Sequence, residues 1–413
     1  MFTSFSTALS ALSAHSTGID VVGNNLANLN TPGFKASVVS FYDLVTQSLG
    51  AGLGETQVGF GVARPNTIRQ FSQGAIKSSS GDLDVAIQGD GFLVAKEKSG
   101  GIVYTRGGNL QVDSQGNLLT STGQRVQGWT ALDGAPSTNA PPADIVIPVG
   151  SIKPPVATSR FSADLNLNAA GATAPTPDAF STSIEVFDSL GKSHIVTVAF
   201  TKAAANSWNY SLSFPDSDVT TPVAPVTGTI GFNSLGQMVD PPAAGPFPSI
   251  AVAGLTSGAA DMNIEWNLYS GATPRLTQFA QPSAVSANQQ NGSAAAQLVR
   301  VGIGNGGVVL AQFSNGVQTT VGQLAMASIR NPESLLAVGN NSYALSARSA
   351  LPAIGTSGTG GRGVIAGGAV ENSTVDIARE FTNLIVLQRG YQANAKVITT
   401  VDELSQETIN LKR

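Results

Sequence analysis

The sequence contains no cysteine. Disulfides, zinc–thiolate centres and thiol catalysis are therefore excluded, and the chain suits oxidising surroundings without depending on them. Charge is also scarce: 12% of residues are charged, against a usual share of about 25%. The formal net charge of -4 gives no basic field that would recruit nucleic acid or an anionic membrane. Histidine occurs twice, as His15 and His194, and neither belongs to a metal-ligand spacing. No run of about 18 apolar residues is present, so no membrane-spanning helix is expected. The first stretch, MFTSFSTALSALSAHSTGIDVV, lacks the basic segment and the unbroken apolar core of a secretory signal.

What is present is length and hydrophobic material. The 413 residues suggest two or three domains, and a hydrophobic share of 42% is ample for packed cores. Phe5, Leu9, Leu12, Ile19 and Leu26 fall on a seven-residue repeat once Ser16 and Gly23 are counted in register. The pattern predicts a helix over 1–30, stopped by Thr31-Pro32-Gly33, because the residue before proline is pushed out of the α region. The other end predicts a longer helix over 372–411. Ile377, Phe381, Leu384, Tyr391 and Ile398 follow the same repeat, Val401 and Leu404 extend it, and Gly390 interrupts it as a weak point. Ser373 or Thr374 can cap this helix, with Asp376 near its positive end. Two heptad-spaced ends with a different middle are most economically paired, with the middle looped out.

The middle reads as β-structure. SWNYSLSF sets Trp208, Tyr210, Leu212 and Phe214 on one face, and MNIEWNLY does the same with Met262, Ile264, Trp266 and Leu268. ADIVIPVGS alternates Ile145, Ile147 and Val149. STSIEVFDSLGKSHIVTVAF predicts two strands joined at Asp188–Gly191, while IQGDGFLVA and AQFSNGVQT carry Asp-Gly and Asn-Gly hairpin signals. Small-residue and proline-rich tracts at 133–144, 168–179 and 355–363 mark seams. The expected fold is mixed and mainly β. A coiled-coil-like helical core domain with its connecting segment spans 1–70 and 365–413, a discontinuous inner β domain spans 70–160 and 280–365, and an inserted outer β domain spans 160–280.

Catalytic patterns are weak. GIGNGG at 302–307 has dinucleotide-loop spacing, but VVLAQF follows as a strand where that site requires a helix. A Gly-rich hairpin turn is the simpler reading. Ser193, His194 and Asp188 could be imagined as a hydrolytic triad, yet they crowd one hairpin with no nucleophile elbow, so an exposed turn is expected. Asp82, Asp84 and Asp90 read as strand ends and a turn, and the sequons at Asn291, Asn340 and Asn372 as chance. No cofactor and no metal are expected.

The two ends carry a resemblance. NNLANLNTPGFKAS holds Asn24, Asn25, Leu26, Ala27, Asn28, Thr31, Pro32, Gly33, Phe34 and Lys35, and resembles the Asn-rich signature near the start of bacterial flagellar rod and hook proteins. QRGYQANAKVITTVDEL holds Gln388, Arg389, Tyr391, Ala393 and Asn394, and resembles the signature near their end. Length and the middle of the chain, with FDSLGKSH, LTQFA and LAMASIRNPESLLAVGNNSYALS, resemble the hook members, which carry an additional domain. Phe187 stands where tyrosine is frequent in them, and Asn291-Gly292 where an Asp-Gly turn is common. The resemblance implies a subunit without enzymatic activity, exported by the flagellar type III apparatus without a cleaved signal. It would assemble outside the cell, under a cap protein, into a curved tube that joins rod to filament as a universal joint. The implied partners are other copies of the chain, the rod, the hook cap, the hook–filament junction and the export proteins, with no insertion into the membrane. The low charge suits an outer domain that slides on its neighbours while the helices hold the tube. A distal rod protein is the nearest alternative. A secreted β-rich adhesin, or a hydrolase built on His194, would belong to other classes.

Overall fold

Apolar alternation and turn-forming glycines dominate residues 85–367, and these become short strands, while the two patterned ends become helices. A computed structural model describes residues 2–44, 46–48, 57–131, 136–150 and 152–410. The first residue of the expected helix over 1–30, the first three of the proline-rich tract at 133–144 and the last of the expected helix over 372–411 lie outside them. Helix α1 spans Phe2–Ala27 and helix α2 spans Ile377–Asn410. The chain forms two compact units: one of residues 1–149, 300–312 and 318–413, the other of 150–299 and 313–317.

The second unit is a β-sandwich. One sheet is an antiparallel meander of Ala179–Phe187, Ser193–Ala204, Ser207–Ser213, Val226–Phe232 and Met238–Asp240. The other is built on Arg160–Asn168, which runs parallel to Met262–Trp266 and Leu276–Phe279 and antiparallel to Ala284–Gln290. Inward residues of both sheets meet in one core, as expected of two faces with period-two patterning. Trp208, Leu212, Ile264, Trp266 and Leu268 are fully buried there. Trp266 stacks on Phe161 at 6.0 Å and meets the edge of Tyr210 at 5.5 Å.

The first unit joins the two chain ends. Its main sheet runs through Gln318–Leu324, Arg125–Thr130, Phe92–Lys96, Ile102–Thr105, Ser342–Ala344 and, at its edge, Leu336–Gly339. Short strands from the two ends interleave around it: Ala369–Glu371 pairs with Ile76–Ser78, and Val364–Gly367 with Val85–Gln88.

Several local expectations change. The Asp-Gly at 90–91 does not close a hairpin: Val85–Gln88 pairs with Val364–Gly367, while Phe92–Lys96 pairs with Ile102–Thr105. The turn changes sheets instead. Ile145 and Ile147 are buried, but Val149 is exposed. The Gly-rich 304–307 segment does join two strands, Ala296–Ile303 and Val308–Phe313. Asp376, not Ser373 or Thr374, caps α2, accepting from the Arg379 N–H at 3.0 Å; Thr374 is drawn away to accept from the Ala36 N–H at 2.9 Å.

Candidate assembly site at the chain ends

Helices α1 and α2 run antiparallel. Asn25 meets Glu380, Gly18 meets Leu387 and His15 meets Gly390, in opposite order along the two chains. Gly18 and Gly390 set the approach: a Cβ on Gly18 would lie 2.9 Å from Leu387, and one on Gly390 2.6 Å from the His15 ring. Gly390 is therefore a place of close contact more than a weak point. The face of α1 turned inward carries Ala8, Ala14, Gly18, Val22 and Asn25. All of these but Ala14 lie one residue N-terminal to the expected register, a rotation of roughly 100°. Small side chains let the helices approach, and the larger apolar ones are left to the side. Phe5, Leu9, Phe381 and Tyr391 are exposed, while Leu12, Ile19, Leu26, Leu384 and Ile398 are half-buried.

The Asn-rich signature divides in two. Asn25 is buried and works as a clasp. Its Nδ2 donates to the Ser37 carbonyl at 2.8 Å and to Glu380 Oε2 at 3.3 Å, and its Oδ1 accepts from the Ser37 N–H at 3.0 Å. Lys35 is 0% exposed; its Nζ reaches Glu371 Oε1 at 2.6 Å and donates to the Ser72 carbonyl at 2.6 Å. Glu371 also accepts from the Gly74 N–H at 2.7 Å and faces Arg106 at 3.4 Å. Burial pushes the Lys35 ammonium pKa down although Glu371 opposes this, and Arg106 adds to the drop. Gly33, at φ 70°, donates its N–H to the Glu371 carbonyl, and its α-carbon passes close to the Arg106 backbone. Phe34 is buried beside Val375. Asn24, Ala27 and, more partially, Leu26, Asn28, Thr31 and Pro32 remain at the surface. On α2, Gln388, Arg389, Tyr391 and Ala393 are exposed, and Asn394 donates to the Gly390 carbonyl at 2.8 Å.

Glu371, Glu380 and Arg106 are the partners that sequence reasoning missed. Glu380 carried a signal: a carboxylate on the stripe that continues through Leu384 and Leu387. Glu371 carried none beyond its place at the end of a short apolar strand.

The second unit holds a buried polar cluster where an exposed turn was expected. Asp188 and His194 are both buried. The His194 ring sits between two carboxylates, Nδ1 at 2.8 Å from Asp218 and Nε2 at 3.2 Å from Asp188. Burial raises the Asp188 carboxyl, but hydrogen bonds from Ser257, His194 and the Lys192 and Leu190 N–H groups outweigh it and hold it below its ordinary range. Asp218 is lowered chiefly by the His194 hydrogen bond, burial opposing, with Lys192 assisting. Ser193 has no part in this; Ser257 Oγ donates to Asp188 at 2.7 Å and not to the imidazole, so no nucleophile–base pair forms. Two of the three aspartates weighed earlier are tied into the fold by their side chains, and Asp90 by its carbonyl, which accepts from the Gly363 N–H. Asp82 pairs with Arg300, and Asp84 accepts from Ser79 and Asn109. Among the described residues no group of three His, Cys, Asp or Glu could hold a metal ion, and no helix is long and apolar enough to cross a membrane.

Four family models match along the chain: a flagella basal body rod protein model over 5–35, a flagellar hook protein FlgE/F/G D1 domain model over 86–168, a flagellar basal body protein FlaE D2 domain model over 156–293, and a flagellar basal body rod FlgEFG protein C-terminal model over 366–411. The chain is 32% identical to flagellar hook protein FlgE of Escherichia coli (strain K12), covering 99% of this chain and all of that one. It is 33% identical to FlgE of Treponema pallidum (strain Nichols), covering both chains completely. The crystal structure of Helicobacter pylori flagellar hook protein FlgE2 matches with a TM-score of 0.52 at 15% identity, over 70% of this chain and 99% of that one, a likeness of fold.

Proposed function

The chain belongs to the flagellar hook protein family and is a structural subunit of the hook, and from that premise we propose how its ends build the polymer. Family membership implies self-polymerisation and association with the flagellar basal body. The inward face of each helix fastens the chain to itself. The outward apolar residues, Phe5 and Leu9 on α1 with Ile377, Phe381 and Tyr391 on α2, then serve contacts between successive copies. The single observation that supports this is their exposure on helices whose own pairing is already complete without them. A head-to-tail contact of this kind, whose rotation does not close, generates a helical tube.

The finer reading extends the same proposal. The tube is curved and acts as a universal joint between rod and filament. The subunit leaves through the type III apparatus without a cleaved signal, meets the rod, the hook cap and the hook–filament junction, and performs no catalysis. The helical parts at 1–70 and 365–413, the inner β part at 70–160 and 280–365 and the outer β part at 160–280 are assigned to holding, connecting and sliding respectively.

Electron microscopy tests this directly. The full chain is expected to form curved hollow tubes, and a chain lacking 1–30 and 372–413 to stay monomeric. Tubes from both would overturn the role given to the ends, and straight tubes would favour a rod subunit.

A further inference from the structure

Three asparagines in the chain precede glycine: Asn291, Asn305 and Asn315. Such a pair is open to a reaction of its own. Glycine has no side chain to hinder its nitrogen, and the asparagine amide is already within reach of ring closure. The fold treats the three differently. Asn291 is tied down: its Oδ1 accepts from the Ser159 and Arg160 N–H groups at 3.0 Å each, and its Nδ2 donates to Ser159 Oγ at 2.9 Å. The Gly292 N–H beside it donates to Gln290 Oε1. At Asn315 the Gly316 N–H donates to the Phe313 carbonyl at 2.9 Å, and the asparagine Oδ1 accepts from the Val317 N–H at 3.1 Å. In both places the glycine nitrogen is engaged.

Asn305 is different. It is exposed, in the turn between Ala296–Ile303 and Val308–Phe313. The Gly306 N–H has no hydrogen-bond partner among the described residues. A Cβ on Gly306 would meet nothing within 4 Å, so its nitrogen is open to approach. The Asn305 Oδ1 accepts from the Gly367 N–H at 3.3 Å. That bond draws electrons from Cγ and favours the oxyanion that forms when a nucleophile adds there. The turn is otherwise well seated. Gln323 Nε2 donates to the Gly306 carbonyl at 2.7 Å, and a Cβ on Gly307 would lie 2.7 Å from Ile365. It therefore rests on the strand Val364–Gly367, and the chain runs on from that strand to Glu371, the partner of Lys35.

We propose that Asn305 is a self-modification site, where the Gly306 nitrogen closes on the side-chain amide and converts the residue to aspartate and isoaspartate. The Gly306 N–H gives its proton to hydroxide, and the nitrogen attacks Asn305 Cγ. A C–N bond forms, the Cγ–Nδ2 bond breaks, and Nδ2 takes a proton from water and leaves as ammonia. Water then opens the five-membered imide at one carbonyl or the other. One water is consumed for each ammonia released, and nothing is oxidised or reduced. Each event adds one carboxylate and moves the formal net charge from -4 to -5. The two products act differently. Aspartate keeps an acceptor for the Gly367 N–H, and the bond becomes charge-assisted. Isoaspartate carries the main chain through Cβ, lengthens the turn by one atom and draws it away from Gly367 and Gln323. Isoaspartate thus loosens the strand that leads to Glu371 and the clasp.

The test uses the full chain, held at mildly alkaline pH and sampled by peptide mass spectrometry. A hydrogen bond that must first break slows attack, so Asn305 is expected to convert about fivefold or more faster than Asn291 and Asn315. In denaturant, where those bonds are gone, the three rates are expected to converge. Charge-sensitive separation of the native chain should show a more acidic form accumulating. In Asn305→Gln, whose longer side chain would have to close a six-membered ring, that form should accumulate about fivefold or more slowly. The fraction rich in isoaspartate should unfold at a lower temperature, and Asn305→Asp at the temperature of the fresh chain. Equal rates at the three sites in the folded chain, faster conversion at Asn291 or Asn315, or no conversion at any of them would overturn the proposal. So would the same order of rates in denaturant, since the fold would then not set it. An isoaspartate fraction as stable as the fresh chain would overturn the loosening of the strand. If Asn305→Gln fails to fold, the rates in the unmodified chain alone decide.

Discussion

At the scale of the residue, Lys35 is the most exacting position. Its ammonium group reaches the fully buried Glu371 at 2.6 Å. Lys35→Met should cost about 3–5 kcal/mol, because it strands a buried carboxylate with only the longer Arg106 contact. Denaturant unfolding of the full chain measures this as a lower midpoint for the unit that contains both ends. A cost below about 1 kcal/mol would mean that the pair is dispensable. The His194 cluster makes a second prediction. Asp188 and Asp218 are both held below the ordinary carboxylate range. A carboxylate with a depressed folded value contributes stability that is present above its unfolded value and lost as pH falls through the folded one. The second unit should therefore weaken progressively below about pH 4. Asp218→Asn should lower stability at neutral pH and flatten that acid loss, as read from thermal unfolding across a pH series.

At the scale of the element, the two helices depend on small residues. Gly390→Leu raises helix propensity by up to about 1 kcal/mol, yet it drives a side chain into the His15 ring. Packing is expected to win. The helix pair should open, with lower unfolding temperature and weaker tube growth, while Gly390→Ala should have a smaller effect of the same sign. The same feature explains what sequence could and could not show. Strands 207–213 and 262–266 were legible because one face of each meets a core, so the alternation of Trp208, Tyr210 and Leu212 records the burial directly. The helix seam was displaced by one residue because a search for heptads favours large apolar side chains, and close antiparallel contact favours Ala8 and Gly18. The Asp-Gly turn at 90–91 was legible as a turn, but local chemistry does not say which sheet the outgoing strand joins. Asp188 and His194 looked like surface residues because their partners, Asp218 and Ser257, lie far along the chain.

At the scale of the whole molecule, the second unit is an insertion between parts of the first. Replacing residues 150–299 by a short flexible linker is expected to leave the two helices and their clasp intact. Such a chain should still form tubes, with a curvature or stiffness different from that of the full chain by electron microscopy. Complete loss of tubes would assign an obligatory assembly role to the inserted unit.

The clasp between the chain ends also has a history in time. Lys35 and Glu371 are separated by 336 positions, and Asn25 and Glu380 by 355. Contacts of such separation come late, since a long loop must close before they reward the chain. A chain delivered from its N-terminus would present Asn25 and Lys35 early, as a clasp with one jaw. Neither could find its partner until nearly the entire length had followed. Completion of the clasp thus requires the C-terminal part of the chain, and a truncated chain ending before residue 371 would leave Lys35 without Glu371 and Asn25 without Glu380.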